Sequence, residues 1–226
     1  MAEADFSFLD PLTKAPGVEA AWIERVPGID VVVDRDVALA RLLPAHKAEV
    51  ARRFGAPFWW RAEQVHGARV AWVPGAETKP AGDGLPVVPG VDGLITQAKG
   101  ELLGIYVADC GAIWLADRRS GAVGLLHSGK KGTELGILAT AVAAMRERFG
   151  TDPADLVGVL SPCIRPPHYE IDFAEQIVRQ AEKAGIGEFR DVGCDTASDP
   201  GRFYSYRMEK GMTGRMLALI RCGSLA

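Results

Sequence analysis

Histidine and cysteine are scarce in this chain, with four of each among 226 residues. No two of the cysteines, Cys110, Cys163, Cys194 and Cys222, lie within three residues of one another. That spacing excludes a CxxC zinc ribbon and a disulfide framework of the secreted kind. A basic surplus is also missing. Lys and Arg number 26 against 29 Asp and Glu, a net charge of −3, whereas nucleic-acid binders normally carry an excess of positive charge. No apolar run approaches the ~20 residues that cross a bilayer. Neither a nucleic-acid nor a membrane partner is expected. The opening MAEADFSFLD has no basic stretch followed by an apolar one, which is the export pattern, so the expected location is cytoplasmic. Internal repeats and low-complexity tracts are absent too.

What remains is an ordinary globular composition, 48% hydrophobic and 24% charged. A chain this long buries roughly 70% of its unfolded surface, and one domain over residues 1–226, acting as a monomer, is expected. The coarse reading places a strand over 31–33, a helix over 45–54 opened by Pro44, a strand over 71–73 and an irregular loop over 74–89. Short, almost wholly apolar runs follow at 102–108, 112–116, 122–126 and 156–160, the pattern of strands covered on both faces. Leu135, Leu138, Val142, Met145 and Phe149 step by three and four, which predicts a helix over 133–149. Asp172 and Glu175 read as a capping box for a helix over 173–183, and a last helix is expected over 211–220. Strands interleaved with helices make the fold α/β (α+β), a single layered domain around a mixed sheet with helices on both sides.

Few residues in this chain suit chemistry. His46 lies in the polar helix PAHKAEVARR and reads as a surface residue. His66 sits at a strand-to-loop transition, His127 ends the run Val-Gly-Leu-Leu-His, and Cys110 ends Ile-Tyr-Val-Ala-Asp-Cys. Strand ends converge at sheet edges, where α/β proteins place ligands. His66, Cys110 and His127 together would make a His-Cys-His set, three ligands with a fourth position open, as in catalytic zinc sites. Their separations of 44 and 17 residues carry no signature by themselves. A buried thiol with locally satisfied histidines is the other reading, and a metal-free dyad of Cys110 as nucleophile and His127 as base is a third. The segment Gly124–Lys130 falls short of a Walker A loop, because Lys131 stands where Ser or Thr is needed. Two lysines and two glycines ahead of a helix still suit an anion. Asp109 beside Cys110 is placed to orient a ligand or cap a turn. Cys163 reads as a packed thiol, His168 as a loop residue near the same pocket, and Arg207 as a cation aimed at an anionic group.

Gln64-Val65-His66-Gly67, Asp92-Gly93-Leu94-Ile95-Thr96, Val107-Ala108-Asp109-Cys110 and Leu126-His127-Ser128-Gly129 occur in this order. Ser161-Pro162-Cys163-Ile164, Tyr169-Glu170, Ser205-Tyr206-Arg207 and Thr213-Gly214-Arg215 continue the series. Over roughly residues 60–220 the chain resembles the YfiH/laccase-domain family, also known as peptidoglycan editing factors or multicopper polyphenol oxidases; residues 1–59 diverge from its pattern. The resemblance implies a YfiH-like layered α/β fold and a zinc ion held by His66, Cys110 and His127. It also implies purine nucleoside chemistry: phosphorolysis of adenosine, inosine and methylthioadenosine, and deamination of adenosine. Nucleoside and phosphate are then the partners. Cys110, His127 and Asp109 would be catalytic, and Gln64, Ser128, Lys130, Lys131 and Arg207 would bind substrate. A further family role is removal of wrong amino acids from cell-wall precursors, which the Cys110 hydrolase reading would serve; an inactive nucleoside- or phosphate-binding homologue is the remaining alternative. The family's His-Ala-Gly-Trp-Arg-Gly stands here as His127-Ser128-Gly129-Lys130-Lys131-Gly132, keeping the charge and losing the guanidinium fork. The copper-oxidase label fits poorly, because four histidines are too few for a laccase's copper centres.

Overall fold

A computed structural model describes residues 7–56, 58–80 and 82–222, and residues 1–6, which carry part of the export-signal reading, lie outside them. In chain order the elements are β1 (Val18–Ile23), α1 (Arg35–Phe54), β2 (Trp60–Ala62), β3 (Val70–Trp72), β4 (Lys79–Pro80), β5 (Pro86–Val88), β6 (Gly93–Thr96) and β7 (Leu102–Val107). Then come β8 (Gly111–Asp117), β9 (Val123–Ser128), α2 (Lys130–Glu134), α3 (Ile137–Phe149), β10 (Leu156–Leu160), α4 (Phe173–Ala184), β11 (Glu188–Asp191) and β12 (Met216–Cys222).

The strands form two six-stranded mixed sheets, ordered β1-β12-β7-β2-β5-β4 and β11-β10-β8-β9-β6-β3. Side chains on a strand alternate between faces, and here both faces find cover. Leu103, Ile105 and Val107 of β7 meet Ala112, Trp114 and Ala116 of β8 in one cluster between the sheets. The intervening Leu102 and Tyr106 turn outward to Val50 and Phe54 of α1, while Ile113 and Leu115 turn outward to α3 and α4. The layers therefore run helix, sheet, sheet, helix. The Trp114 indole donates to Leu219 O across the central layer at 2.9 Å.

Several expectations need correction. The single mixed sheet is two, because double-faced apolar strands are equally well covered by a second sheet as by helices. Residues 31–33 join no ladder, although Val31 is buried. The helix expected from Pro44 begins at Arg35, where the Asp34 carboxylate accepts from the amides of Asp36 and Val37. Pro44 lies inside it, and the carbonyl left unpaired belongs to solvent-exposed Ala40. The 74–89 loop contains the antiparallel pair β4–β5. The 133–149 helix is split: Gly136 takes φ 76° between α2 and α3, which leaves Leu135 exposed in the joint. The last helix is a strand, since Met216–Cys222 pairs with both β1 and β7; burial on both faces overrode a helical reading of an apolar run. His46 is not on the surface. It is fully buried, faces the Tyr106 ring with centroids 5.6 Å apart, and neither ring nitrogen has a partner among the described residues. Residues 156–160 and the Asp172-capped α4 lie where the pattern put them.

Candidate metal centre and cavity

Twice the chain passes from the first sheet to the second beside one cavity. Residues 63–69 connect β2 to β3, and residues 108–110 connect β7 to β8. The first crossing carries Gln64 and His66, the second Asp109 and Cys110. His127 comes from the end of β9, and the antiparallel register that pairs Gly111 with Ser128 and Ala112 with His127 sets it beside Cys110. One Nδ1/Nε2 or Sγ atom from each of His66, Cys110 and His127 lies within 4.8 Å of the others. The two imidazoles meet edge to face, centroids 4.8 Å apart.

Asp92 organises both histidines. Its buried carboxylate accepts from His127 Nδ1 at 2.9 Å, from His66 N at 2.8 Å and from Gly67 N at 2.7 Å. Held through Nδ1, His127 presents Nε2 to the cluster, the carboxylate–histidine arrangement that orients metal ligands. Burial pushes the Asp92 carboxyl up, and the His127 ring and these amides outweigh it, so it titrates below its ordinary value. At Cys110 burial again pushes upward, and the His127 charge with hydrogen bonds from both imidazoles brings the thiol down. His127 shifts the other way: desolvation lowers it, and the Cys110 thiolate and Asp92 raise it further. A pocket that favours a thiolate beside a protonated imidazole is one where a divalent cation replaces the proton. Packing is close here, since a Cβ on Gly129 would sit 2.5 Å from Cys110 Sγ. Two nitrogens and a sulfur, with His66 exposed toward solvent, fit zinc with an open coordination position.

Gln64, His66, Asp109 and Lys210 have φ of 63°, 60°, 76° and 52°, and among the described residues they are all the non-glycine residues at positive φ. All four line the cavity, whose volume is about 1130 Å³. Such backbone costs of order 1–3 kcal/mol per residue and clusters at functional sites.

Lys130, Lys131 and Arg207 line the same cavity. The Gln64 amide is engaged at both ends, donating to Tyr106 O at 2.6 Å and accepting from Tyr106 N at 3.0 Å, so it joins the crossing to β7. Asp109 accepts from Thr196 Oγ1 and Arg207 N, both at 2.7 Å; burial raises its carboxyl despite these bonds. Ser128 stays off the wall, its hydroxyl buried 2.9 Å from Thr133 Oγ1. His168 pairs with Asp195 at 2.6 Å outside the cavity, and Cys163 is a buried thiol that burial pushes upward. Asp92, Arg35, Tyr169, Lys210 and Arg215 are site residues that the sequence motifs alone do not mark as such. Asp92 had a signal: a carboxylate opening the wholly buried strand β6 needs a partner.

A family model described as multi-copper polyphenol oxidoreductase laccase matches residues 38–179 and 168–223, reaching further back than the motifs. The purine nucleoside phosphorylase YlmD of Geobacillus stearothermophilus is 31% identical over 196 residues, 72% of this chain and 71% of that one. A purine nucleoside phosphorylase of Deinococcus radiodurans is 31% identical over an alignment of 249 positions, 93% of this chain and 92% of that one. The crystal structure of YlmD from Geobacillus stearothermophilus superposes with a TM-score of 0.76 at 25% identity, covering 95% of this chain and 94% of that one. YfiH of Bacillus licheniformis shares the fold at the same TM-score of 0.76, with 23% identity and 90% and 92% of the two chains covered. Motifs in series, two sheets enclosing one core, and these matches along most of the chain agree: the protein belongs to the YfiH/laccase-domain family.

Proposed function

We propose that the protein is a zinc-dependent purine nucleoside phosphorylase acting on adenosine, inosine or methylthioadenosine. The observation that carries this reading is the convergence of His66, Cys110 and His127 on a cavity lined with lysines and arginines. The names of the relatives support the reaction class. In phosphorolysis the C1′–N9 bond breaks with its electron pair going to the base, and a phosphate oxygen bonds to C1′. The phosphate proton ends on the purine, and the sugar leaves as its 1-phosphate: ribose 1-phosphate from adenosine or inosine, 5-methylthioribose 1-phosphate from methylthioadenosine.

Zinc, when bound, supplies a Lewis acid that polarises an oxygen in the cavity. The chain's own residues do the rest. Asp92 holds the His127 imidazole through Nδ1 and fixes the His66 backbone through its amide. Asp109 ties residues 196 and 207 to the Cys110 crossing and so shapes the wall that Arg207 presents. Arg207 is itself paired with Glu170 at 2.6 Å. Lys130 and Lys131, exposed on the rim, present positive charge to phosphate.

Purified zinc-loaded protein incubated with each nucleoside should release free base and the corresponding sugar 1-phosphate only when phosphate is present. Chelation should abolish this, and zinc should restore it. Inosine formed from adenosine without phosphate would identify deamination instead, and activity that survives chelation but not alkylation would identify the Cys110 hydrolase. If fully loaded protein yields no purine product in any of these incubations, the reading fails.

A further inference from the structure

Cations crowd this cavity beyond the chain's average. Arg35, Lys130, Lys131, Arg207, Lys210 and Arg215 line it against Asp34, Asp109 and Glu170, an excess of three positive charges (six minus three) in a chain of net charge −3. Within this group the Arg35 charge acts on Arg215, and no carboxylate among the described residues forms an ion pair with either. Half-buried Arg215 donates from Nη1 to Thr213 O at 2.9 Å and Gly214 O at 2.8 Å. A guanidinium has five N–H donors. Its Nη1 bonds account for two, leaving Nε and Nη2, the edge that fits two oxygens at once, with no acceptor among the described residues. Desolvation and then the Arg35 charge pull the Arg215 pKa down, while Cys110 and Asp109 pull it up, which places it in the field of the metal cluster. Arg35 is exposed at the mouth of the cavity. Glu63, a carboxylate that feels its charge, is already bonded to Lys79 Nζ and Gly90 N at 2.6 Å each.

Two neighbouring like charges, one of them partly desolvated with a free bidentate edge, lack a counter-ion. We propose that Arg215 and Arg35 form an anion subsite of the cavity, Arg215 gripping a phosphoryl group through its Nε–Nη2 edge and Arg35 closing over it from the mouth. The subsite adds the fork that Lys130 and Lys131, as point charges, do not supply. Its use for the co-substrate rests on the phosphorylase reading; the binding itself does not. The phosphoryl group belongs either to inorganic phosphate or to a nucleoside 5′-phosphate.

The test is calorimetric titration of zinc-loaded protein with inorganic phosphate, adenosine and adenosine 5′-monophosphate. It compares wild type with Arg215→Met, Arg215→Lys and Arg35→Gln, with zinc content and melting temperature measured for each. Phosphate affinity should fall at least about tenfold in Arg215→Met, the loss of one charged bidentate contact. It should fall less in Arg215→Lys and severalfold in Arg35→Gln, a change at an exposed side chain. Sulfate should compete, and adenosine affinity and zinc content should stay at wild-type levels. Phosphate binding with no preference of the nucleotide over adenosine assigns the subsite to inorganic phosphate. An arginine-dependent preference for the nucleotide assigns it to the substrate. The proposal is overturned if wild type binds neither anion, or if folded Arg215→Met and Arg35→Gln bind both as wild type does. Arginine-dependent binding without purine release from adenosine and phosphate would leave the subsite standing and remove the phosphorylase reading.

Discussion

Replacing Asp92 by Asn tests whether one carboxylate sets the geometry of both histidines. The substitution keeps the shape and removes the charge. If the amide oxygen occupies the Oδ1 position, it still accepts from His127 Nδ1 and His66 N. The NH2 group then faces the Gly67 amide, which donates to Oδ2 at 2.7 Å in the native chain. One buried hydrogen bond becomes two opposed donors, a loss of about 1–3 kcal/mol in stability. The flipped amide is worse, because it sets its NH2 against His66 N and confronts or reverses the His127 tautomer. In either orientation the imidazole loses the anion that raises its basicity and fixes its ring, and zinc affinity should fall about 10- to 100-fold, roughly 1.4–2.8 kcal/mol. Competition with a chromophoric chelator measures the zinc affinity, and thermal melting of metal-free protein measures the stability term separately. A variant that melts lower yet binds zinc within about twofold of wild type would falsify the orienting role and leave Asp92 as a fold residue only.

Gly129→Ala should abolish stoichiometric zinc binding, because the new Cβ would lie 2.5 Å from Cys110 Sγ; metal analysis of the purified variant decides it, and full zinc content would refute the packing argument. Buried His46 titrates at about 4 against an ordinary 6.5 because burial disfavours its cation. Below pH 6.5 the unfolded chain takes up a proton that the folded chain refuses, so stability present above that pH is lost as the pH falls from 6.5 toward 4, by up to ~3 kcal/mol. Denaturant unfolding of wild type and His46→Phe across this range should show a difference that changes by that amount; a constant difference would show that His46 is protonated equally in both states. Gly136→Ala should cost about 1 kcal/mol, since a φ of 76° strains an alanine backbone and nothing lies within 4 Å to hold a methyl group. Denaturant midpoints measure it.

The elements legible in the sequence are those whose burial is uniform. Leu102–Val107, Gly111–Asp117 and Leu156–Leu160 are buried at every position, and each apolar run gave its strand within one or two residues. Met216–Cys222 carries the same kind of run, and the sequence favours a helix there, because a short apolar stretch has no period to separate the two. Its partners β1 and β7 settle the matter, and they lie far away in sequence. His46 escaped for a related reason. Its neighbours in the sequence are polar, yet helical spacing puts it on the face with Leu42 and Val50, both fully buried.

The site was legible in a different way, through residue chemistry and the family resemblance rather than through periodicity, and the fold shows why. Inside either sheet a side chain points into the central layer or under the helices, so chemistry has room only where the chain leaves the ladders. The crossings from β2 to β3 and from β7 to β8 are such places, and the left-handed backbone at Gln64, His66 and Asp109 departs from strand geometry there. A separation of 17 residues between Cys110 and His127 is silent as a motif and becomes adjacency once β8 and β9 pair antiparallel with Gly111 opposite Ser128. Arg35 and Arg215 stand 180 positions apart; Arg35 opens α1 and Arg215 immediately precedes β12, elements on the same side of the sheet. No local pattern marks them as neighbours. What reveals them is the missing carboxylate, a property of the assembled cavity alone.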